Sequence, residues 1–349
     1  MPLAASADAA YRRLRHRRGA ALAALAFALL CLLAADILTG PAGITPQSLL
    51  RILASPHTQN EAQAIIVWQI RLPQALLAVA IGAALGLAGA EMQTVLDNPL
   101  ASPYTLGVSS AAALGAALAL VAGLRLPGVP DAYAVTAAAF VFTLGCTALL
   151  DLVARRSGLG STGIILLGIA LVFSFNAILS LIQLAANASA LQELIFWMMG
   201  SLSRASWPGL SAMTLVLIAV SAWSLRDAWR LSALRFGPER ATAFGVDVRR
   251  IRRRALLRIS LLTAMAVSLV GTIGFVGLVA PHIARSLWGE DHRWYLPASA
   301  LTGGIILSAA SIIAKVLSPQ TIIPVGIVTT LVGIPVFIFA IVRRREVQP

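Results

Sequence analysis

Few side chains in this sequence could do covalent or acid–base chemistry, and none is spaced to do it. The four histidines, His16, His57, His282 and His292, are scattered. No Ser–His–Asp set and no paired carboxylates stand out as a nucleophile with its base. The single lysine, Lys315, sits in SIIAKVLS. A P-loop needs a glycine-rich turn ending in Lys-Ser or Lys-Thr to hold phosphates, so the chain cannot hydrolyse ATP by that route. Cys31 and Cys146 lie inside apolar segments and point to neither a disulfide framework nor a metal site. No catalytic residue and no metal ligand is therefore assigned.

The remaining charged residues are of two kinds. Asp36 and Glu91 interrupt apolar stretches. Asp36 falls near a helix end, where an interfacial position is expected, and Glu91 lies about two turns before Asn98. An acid inside a membrane span is a functional candidate by default. Glu91 either serves an ion-coupled secondary carrier or reaches the interface or a helix neighbour, and both readings stay open. The second kind is arginine. Ten lie between Arg226 and Arg258, including the run Arg249, Arg250, Arg252, Arg253 and Arg254, with apolar stretches on both sides. A basic loop between two such stretches faces the cytoplasm by the positive-inside rule. This one, at about 226–255, is too large for a plain turn.

A bilayer must hold these groups. Of 349 residues 58% are hydrophobic and 12% charged, with mean hydropathy +0.85. That is about half the charge fraction of a soluble domain. The backbone must then satisfy itself in helices or a closed barrel. Barrel strands would alternate apolar and polar residues, whereas these runs are continuous and rich in Ala, Leu and Gly, so the class is all-α integral membrane. About ten spans are expected from the roughly 20 residues each crossing needs. They are Gly19–Leu38, Leu72–Leu96, Tyr104–Gly123, Tyr133–Ala154, Thr162–Leu184, Trp207–Leu225, Leu256–Ile273, Gly274–Trp288, Tyr295–Leu317 and Val325–Val342. The eighth is short and broken by Gly and Pro.

An even number of spans puts both termini on one side. A cytoplasmic assignment of the termini gathers 22 of the 27 basic residues on that side, which supports the orientation. Residues 1–18 read as a basic cytosolic N-terminus and 19–349 as a single transmembrane domain. The net charge of +13 lies beside apolar spans rather than on a soluble face, so nucleic acid is excluded as a partner. Gly82, Gly86 and Gly89 share one side of the second span, where small residues let helix backbones approach. Gly271, Gly274 and Gly277 mark a second such place. The segment DNPLASPYTLGVSS, Asp97–Ser110, is too polar for lipid and reads as a gate element or as a tight turn.

The stretches RLPQALLAVAIGAALGLAGAEMQ, DNPLASPYTLGVSS, LIFWMMGSLSRASW, GTIGFVGLVAPHIAR, EDHRWYLPASAL and IPVGIVTTLVGIPVF carry a resemblance. From about Ile70 onward the chain resembles the permease subunits of bacterial ABC importers for iron–siderophore complexes, haem and cobalamin. The resemblance implies a polytopic bundle of about ten transmembrane helices, like the cobalamin-importer permeases, in the bacterial inner membrane. It implies a second permease copy, two separate ATPase subunits that carry ATP and Mg, and a periplasmic substrate-binding protein, with no cofactor in this chain. The region QTVLDNPLASPYTLGVSS looks more like the iron-chelate members, so a ferric siderophore is the expected cargo. Haem or cobalamin is the alternative, and no channel His or Tyr pair suits haem iron.

Site residues follow from the same resemblance. A coupling helix that engages the ATPase falls in Ala233–Val248 between Gly237 and Gly245, with Glu239, Arg240, Ala243, Phe244 and Gly245 as its contacts. The cytoplasmic gate maps to Asn98 and Leu100 and to the polar pair Ser161 and Thr162. Docking of the binding protein maps to Arg71 and Lys315, although Gln74 stands where some members have a second arginine, so Arg51 or Arg204 could share that role. Lys315 reads equally as a helix-end lysine that snorkels. Arg249–Arg254 read as lipid anchors, at ~1 kcal/mol each, or as partners of acidic groups on the ATPase.

Overall fold

The computed structural model describes residues 2–54, 62–317 and 323–345, with side chains from 12 to 338 within those ranges. His57 lies outside the described residues. Among the described residues every regular element is helical: α1 (Pro2–Leu38), α2 (Pro46–Ala54), α3 (Ala62–Ile65), α4 (Leu72–Val95), α5 (Val108–Leu120), α6 (Ala134–Arg156), α7 (Ser161–Ala185), α8 (Ala188–Met198), α9 (Trp207–Arg226), α10 (Ala228–Leu234), α11 (Pro238–Ala243), α12 (Val248–Val270), α13 (Val276–Trp288), α14 (His292–Leu317) and α15 (Val325–Arg345). A π-helical stretch, Ile66–Arg71, joins α3 to α4 without a break. Helices satisfy their own backbone groups, which is what an apolar solvent demands.

Each of the ten expected spans coincides with one helix. Stretches of α1, α4, α6, α7, α9 and α14 are long and apolar enough to cross a membrane by themselves. Helix α13 has thirteen residues and an internal Pro281, so at roughly 20 Å it falls short of a bilayer. The expected span Leu256–Ile273 begins eight residues early, at Val248. Its first turns hold the arginine run, so those arginines line a helix rather than a loop. Asp247 starts this helix by accepting a bond from Arg250 N at 2.9 Å, a standard N-cap contact.

Helix α4 is the axis of the bundle and is buried over nearly its whole length. Its glycine row meets two other helices. A Cβ on Gly82 would stand 2.3 Å from the carbonyl oxygen of Gly303 in α14, and one on Gly89 would stand 1.8 Å from that of Gly277 in α13. Helices α5 and α6 close a second, alanine-rich layer through Ala112, Ala113, Ala116, Ala117 and Ala139. By contrast α7 and α15 expose Leu166, Phe173, Leu181, Leu184, Leu331 and Val332. One end of the bundle, the basic end, gathers Arg18, Asp97, Arg235 and Glu290. The other gathers the end of α1, Arg71 and Lys315.

Candidate functional site

A short helix, α11, stands at the basic end where a coupling helix is expected. Gly237 at φ +95° and Gly245 at φ +79° turn the chain on either side of it, a backbone conformation that favours glycine. Ala241 is buried and seats the helix, while Glu239, Arg240, Ala243, Phe244 and Gly245 are all exposed. Phe244 is 61% exposed and meets Phe236, 62% exposed, edge to face with ring centroids 6.4 Å apart. Sequence reasoning missed Phe236, although an aromatic beside the glycine of a polar loop was the available signal. Two exposed aromatics on a charged, projecting element form the kind of patch that marks an interaction site.

Asn98 and Leu100 form a tight turn after α4. The Asn98 side-chain oxygen accepts from Leu100 N at 2.9 Å, as asparagine does in an Asx turn. Leu100 is 48% exposed and lines a cavity of about 660 Å³ together with Tyr104, Met198, Met199 and Phe275. That lining carries no charged side chain. A second hollow of about 400 Å³ joins Leu100 to Ile165, Ile169 and Phe173 of α7. Ser161 and Thr162 start α7 at the same end but do not line either cavity. Ser161 instead accepts from Arg252 Nη2 at 3.4 Å.

Around the turn, Arg235 donates to Asp97 at 2.8 Å and to Glu290 at 2.5 Å. Arg285 donates to Gln93 and Tyr295, each at 3.1 Å. Burial pushes the Glu290 carboxyl up, but the bond from Arg235 and the nearby Arg285 outweigh it and hold the group below the ordinary carboxylate value. Its contribution is therefore present across the neutral range and is lost only as pH falls through that lowered value.

Arg71 and Lys315, the two cations expected to meet a binding protein, both bond to the end of α1 at the opposite end of the bundle. Arg71 is 4% exposed, and its Nη1 donates to the carbonyls of Ile37 at 2.9 Å and Leu38 at 3.1 Å. It thereby satisfies carbonyls that the end of α1 leaves open. Lys315 Nζ lies 2.8 Å from Asp36 Oδ1, and Asp36 is fully buried rather than interfacial, taking a further bond from Ser311. Both cations thus fasten α1 to the bundle. Among the described residues, Arg51 and Arg204 are exposed basic groups at this end. Arg204 lies 5.9 Å from the Trp197 ring, and Arg125 is occupied with Asp131.

Glu91 has a partner that sequence reasoning did not find. Arg258 of α12, fully buried, directs Nε to both Glu91 oxygens at 2.9 Å and Nη1 to Asp227 at 2.8 Å. The Trp223 ring lies 5.2 Å from the same guanidinium, and Asp227 also holds Arg230 at 2.6 Å. A free membrane acid, which an ion-coupled carrier needs, is therefore not what Glu91 provides.

A helical bundle centred on a glycine-lined axis, with a neutral cavity and a projecting helix at its basic end, defines a polytopic membrane permease. The profile of the FecCD transport family matches residues 26–343, and the chain belongs to that family of ABC importer permeases. The chain is 37% identical over 281 residues to the vitamin B12 import system permease BtuC of Vibrio cholerae, covering 80% of this chain and 84% of that one. It is 37% identical over 287 residues to the hemin transport system permease HmuU of Yersinia pestis, covering 82% and 86%. Among solved structures, an inward-facing transporter described as of the metal-chelate ABC type superposes with a TM-score of 0.82 at 29% identity, over 93% of this chain and 99% of that one.

Proposed function

We propose that this chain is the permease subunit of an ATP-driven importer that moves a bulky metal chelate, a ferric siderophore in the first instance, into the cytoplasm. Two copies pair through the apolar faces of α7 and α15. Two ATPase subunits grip α11 from the cytoplasm, and a binding protein delivers cargo at the opposite end. Closure of the ATPases draws α11, the bundle tilts, and Leu100 opens or seals the path, which is alternating access. The observation that carries this reading is α11, an exposed helix flanked by the exposed pair Phe236 and Phe244, at the basic end of a chain without a P-loop. The uncharged cavity walls suit a large cargo that must slide rather than bind.

Replacing Phe236 and Phe244 together by serine is expected to cut ATP-dependent uptake by about tenfold or more, as loss of two anchoring aromatics does at an interface. The protein should still insert and extract normally. Undiminished uptake by that double variant would remove the coupling reading. At the opposite end, Arg51→Glu with Arg204→Glu is expected to slow capture of the binding protein by about tenfold at low salt, with the difference fading as salt rises. Stopped-flow association at two ionic strengths measures it, and a salt-independent rate would exclude these arginines from docking.

A second reading of the cargo rests on the relatives named for vitamin B12 and hemin. Uptake into proteoliposomes holding permease, ATPase and the cognate binding protein separates the three. A ferric siderophore should accumulate, with excess cobalamin or haem leaving its rate unchanged. Accumulation of cobalamin or haem instead would move the assignment to that cargo.

A further inference from the structure

Two guanidiniums bracket the coupling helix, and each touches one half of the gate. Arg235 follows α10 and precedes Phe236. It spans two carboxylates, Asp97 of the turn after α4 and Glu290 of the turn before α14. Asp97 immediately precedes Asn98 and sits at φ +46°, a left-handed conformation uncommon outside glycine and favoured among the rest by Asn and Asp. Beyond the coupling helix, Arg252 in the second turn of α12 reaches Ser161 at the start of α7. In each arginine the Nε is buried without a hydrogen-bond partner. The two side chains are therefore wedged where they stand without being saturated.

The two connections differ from the other ion pairs of the bundle. The Glu91–Arg258–Asp227 group is sealed, with side-chain exposures of 0–2%. Asp97 is 74% exposed and Glu290 42%, so water can replace either contact as it breaks. Arg235 also has two acceptors side by side, so it can keep Glu290 while it lets Asp97 go. The preceding helix is tied to the start of α14 as well, because Ser232 in α10 accepts from His292 N at 2.9 Å. The far end of the gate turn is held separately, since Gln93 carbonyl accepts from Asn98 N at 3.1 Å while the Gln93 side chain meets Arg285.

We infer that Arg235 and Arg252 are positioning residues that carry displacement of α11 to the gate, Arg235 through Asp97 to the Leu100 turn and Arg252 through Ser161 to the start of α7. This rests on the coupling and gate reading above. Movement of one short helix then reaches both halves of the gate at once, through contacts that can be broken and remade within a transport cycle.

The test uses the full complex of permease, ATPase and binding protein in nanodiscs, with Leu100→Cys as a reporter in a Cys31→Ser background. The maleimide labelling rate is measured without nucleotide and with ATP trapped on the ATPase. The Leu100→Cys parent is expected to change its labelling by about fivefold or more between the two states, the low end of ordinary allosteric coupling. Arg235→Gln and the milder Asp97→Asn should each reduce that change to under about twofold, and so should Arg252→Gln. All should still co-purify with the ATPase. Arg235→Lys, which keeps a cation between Asp97 and Glu290, should retain most of the response, which a contact of shape alone would not do. A full nucleotide response in Arg235→Gln, Asp97→Asn and Arg252→Gln would overturn the proposal and leave the gate reading standing. No response in the Leu100→Cys parent would overturn both.

Discussion

An Arg258→Ala variant is expected to accumulate little folded protein, although the substitution touches neither gate nor coupling helix. Removing the guanidinium leaves Glu91 and Asp227 as carboxylates 1% and 2% exposed, with Glu91 stripped of its only cation. Breaking a buried pair from one side costs about 3–5 kcal/mol, a large part of the roughly 5–15 kcal/mol that holds a typical domain together. Glu91→Gln should cost much less, because Arg258 keeps Asp227. Glu91→Gln combined with Arg258→Met should recover most of the loss, because Asp227 retains Arg230 and no unpaired charge remains inside. Yield after detergent extraction and the thermal unfolding midpoint of the purified protein give the ranking. A wild-type midpoint in Arg258→Ala would show that the network does not support the fold. The same series speaks to ion coupling. A carrier driven through Glu91 would lose uptake in Glu91→Gln at full folded yield, whereas an importer driven by ATP should lose little.

The network also marks the boundary of what the amino-acid order discloses. Long apolar runs separated by turn residues placed the helices well, because a bilayer leaves the chain few alternatives. The ends of α4, α9 and α14 fall within about three residues of expectation. The start of α12 did not, since five arginines within six positions read as a solvated loop. Arginine is nonetheless a good helix former. Val248, Ile251 and Ala255 recur at three- and four-residue spacing and seat that first part of the helix on the bundle. Composition misled where periodicity did not.

The candidate site was legible where it is local and obscure where it is not. Helix α11 lies between two glycines only eight residues apart, and Glu239, Arg240, Ala243, Phe244 and Gly245 are exposed there. Pairings across the chain could not be read. Arg71 caps a helix 33 residues upstream, Lys315 reaches an acid 279 residues away, and Arg258 meets Glu91 across 167. For a lone charge beside an apolar run, a rim position and a buried pair look the same until the partner is known. Arg71 and Lys315 were assigned to docking for that reason; Arg71 is buried on carbonyls at the end of α1, and Lys315, partly exposed, is paired with Asp36.

Gly89→Ala and Gly303→Ala should be as damaging as the loss of Arg258, for a reason that has no charge in it. Without a hydrophobic drive between helices in lipid, association depends on close backbone packing. At Gly303 a Cβ would sit 2.1 Å from the Gly82 carbonyl oxygen, and at Gly89 it would sit 1.8 Å from that of Gly277. In both cases the obstacle is backbone, which cannot swing aside. Helices α13 and α14 would have to withdraw from α4 by more than an ångström, giving up contacts along the full seam. The cost should lie at or above the roughly 1–3 kcal/mol of ordinary overpacking. Gly145→Ala is the internal control, because nothing stands within 4 Å of its Cβ position on α6. It should be neutral, or stabilising by up to about 1 kcal/mol from helix propensity. Thermal midpoints of the three variants would decide, and a tolerated Gly89→Ala would show that close backbone contact between α4 and α13 does not support the fold. The seam matters beyond stability. The gate turn hangs from the end of α4, and Glu290 and His292 hang from the start of α14. Under the coupling proposed above, helices locked together by their backbones tilt as one body and pass a pull on either end to Leu100.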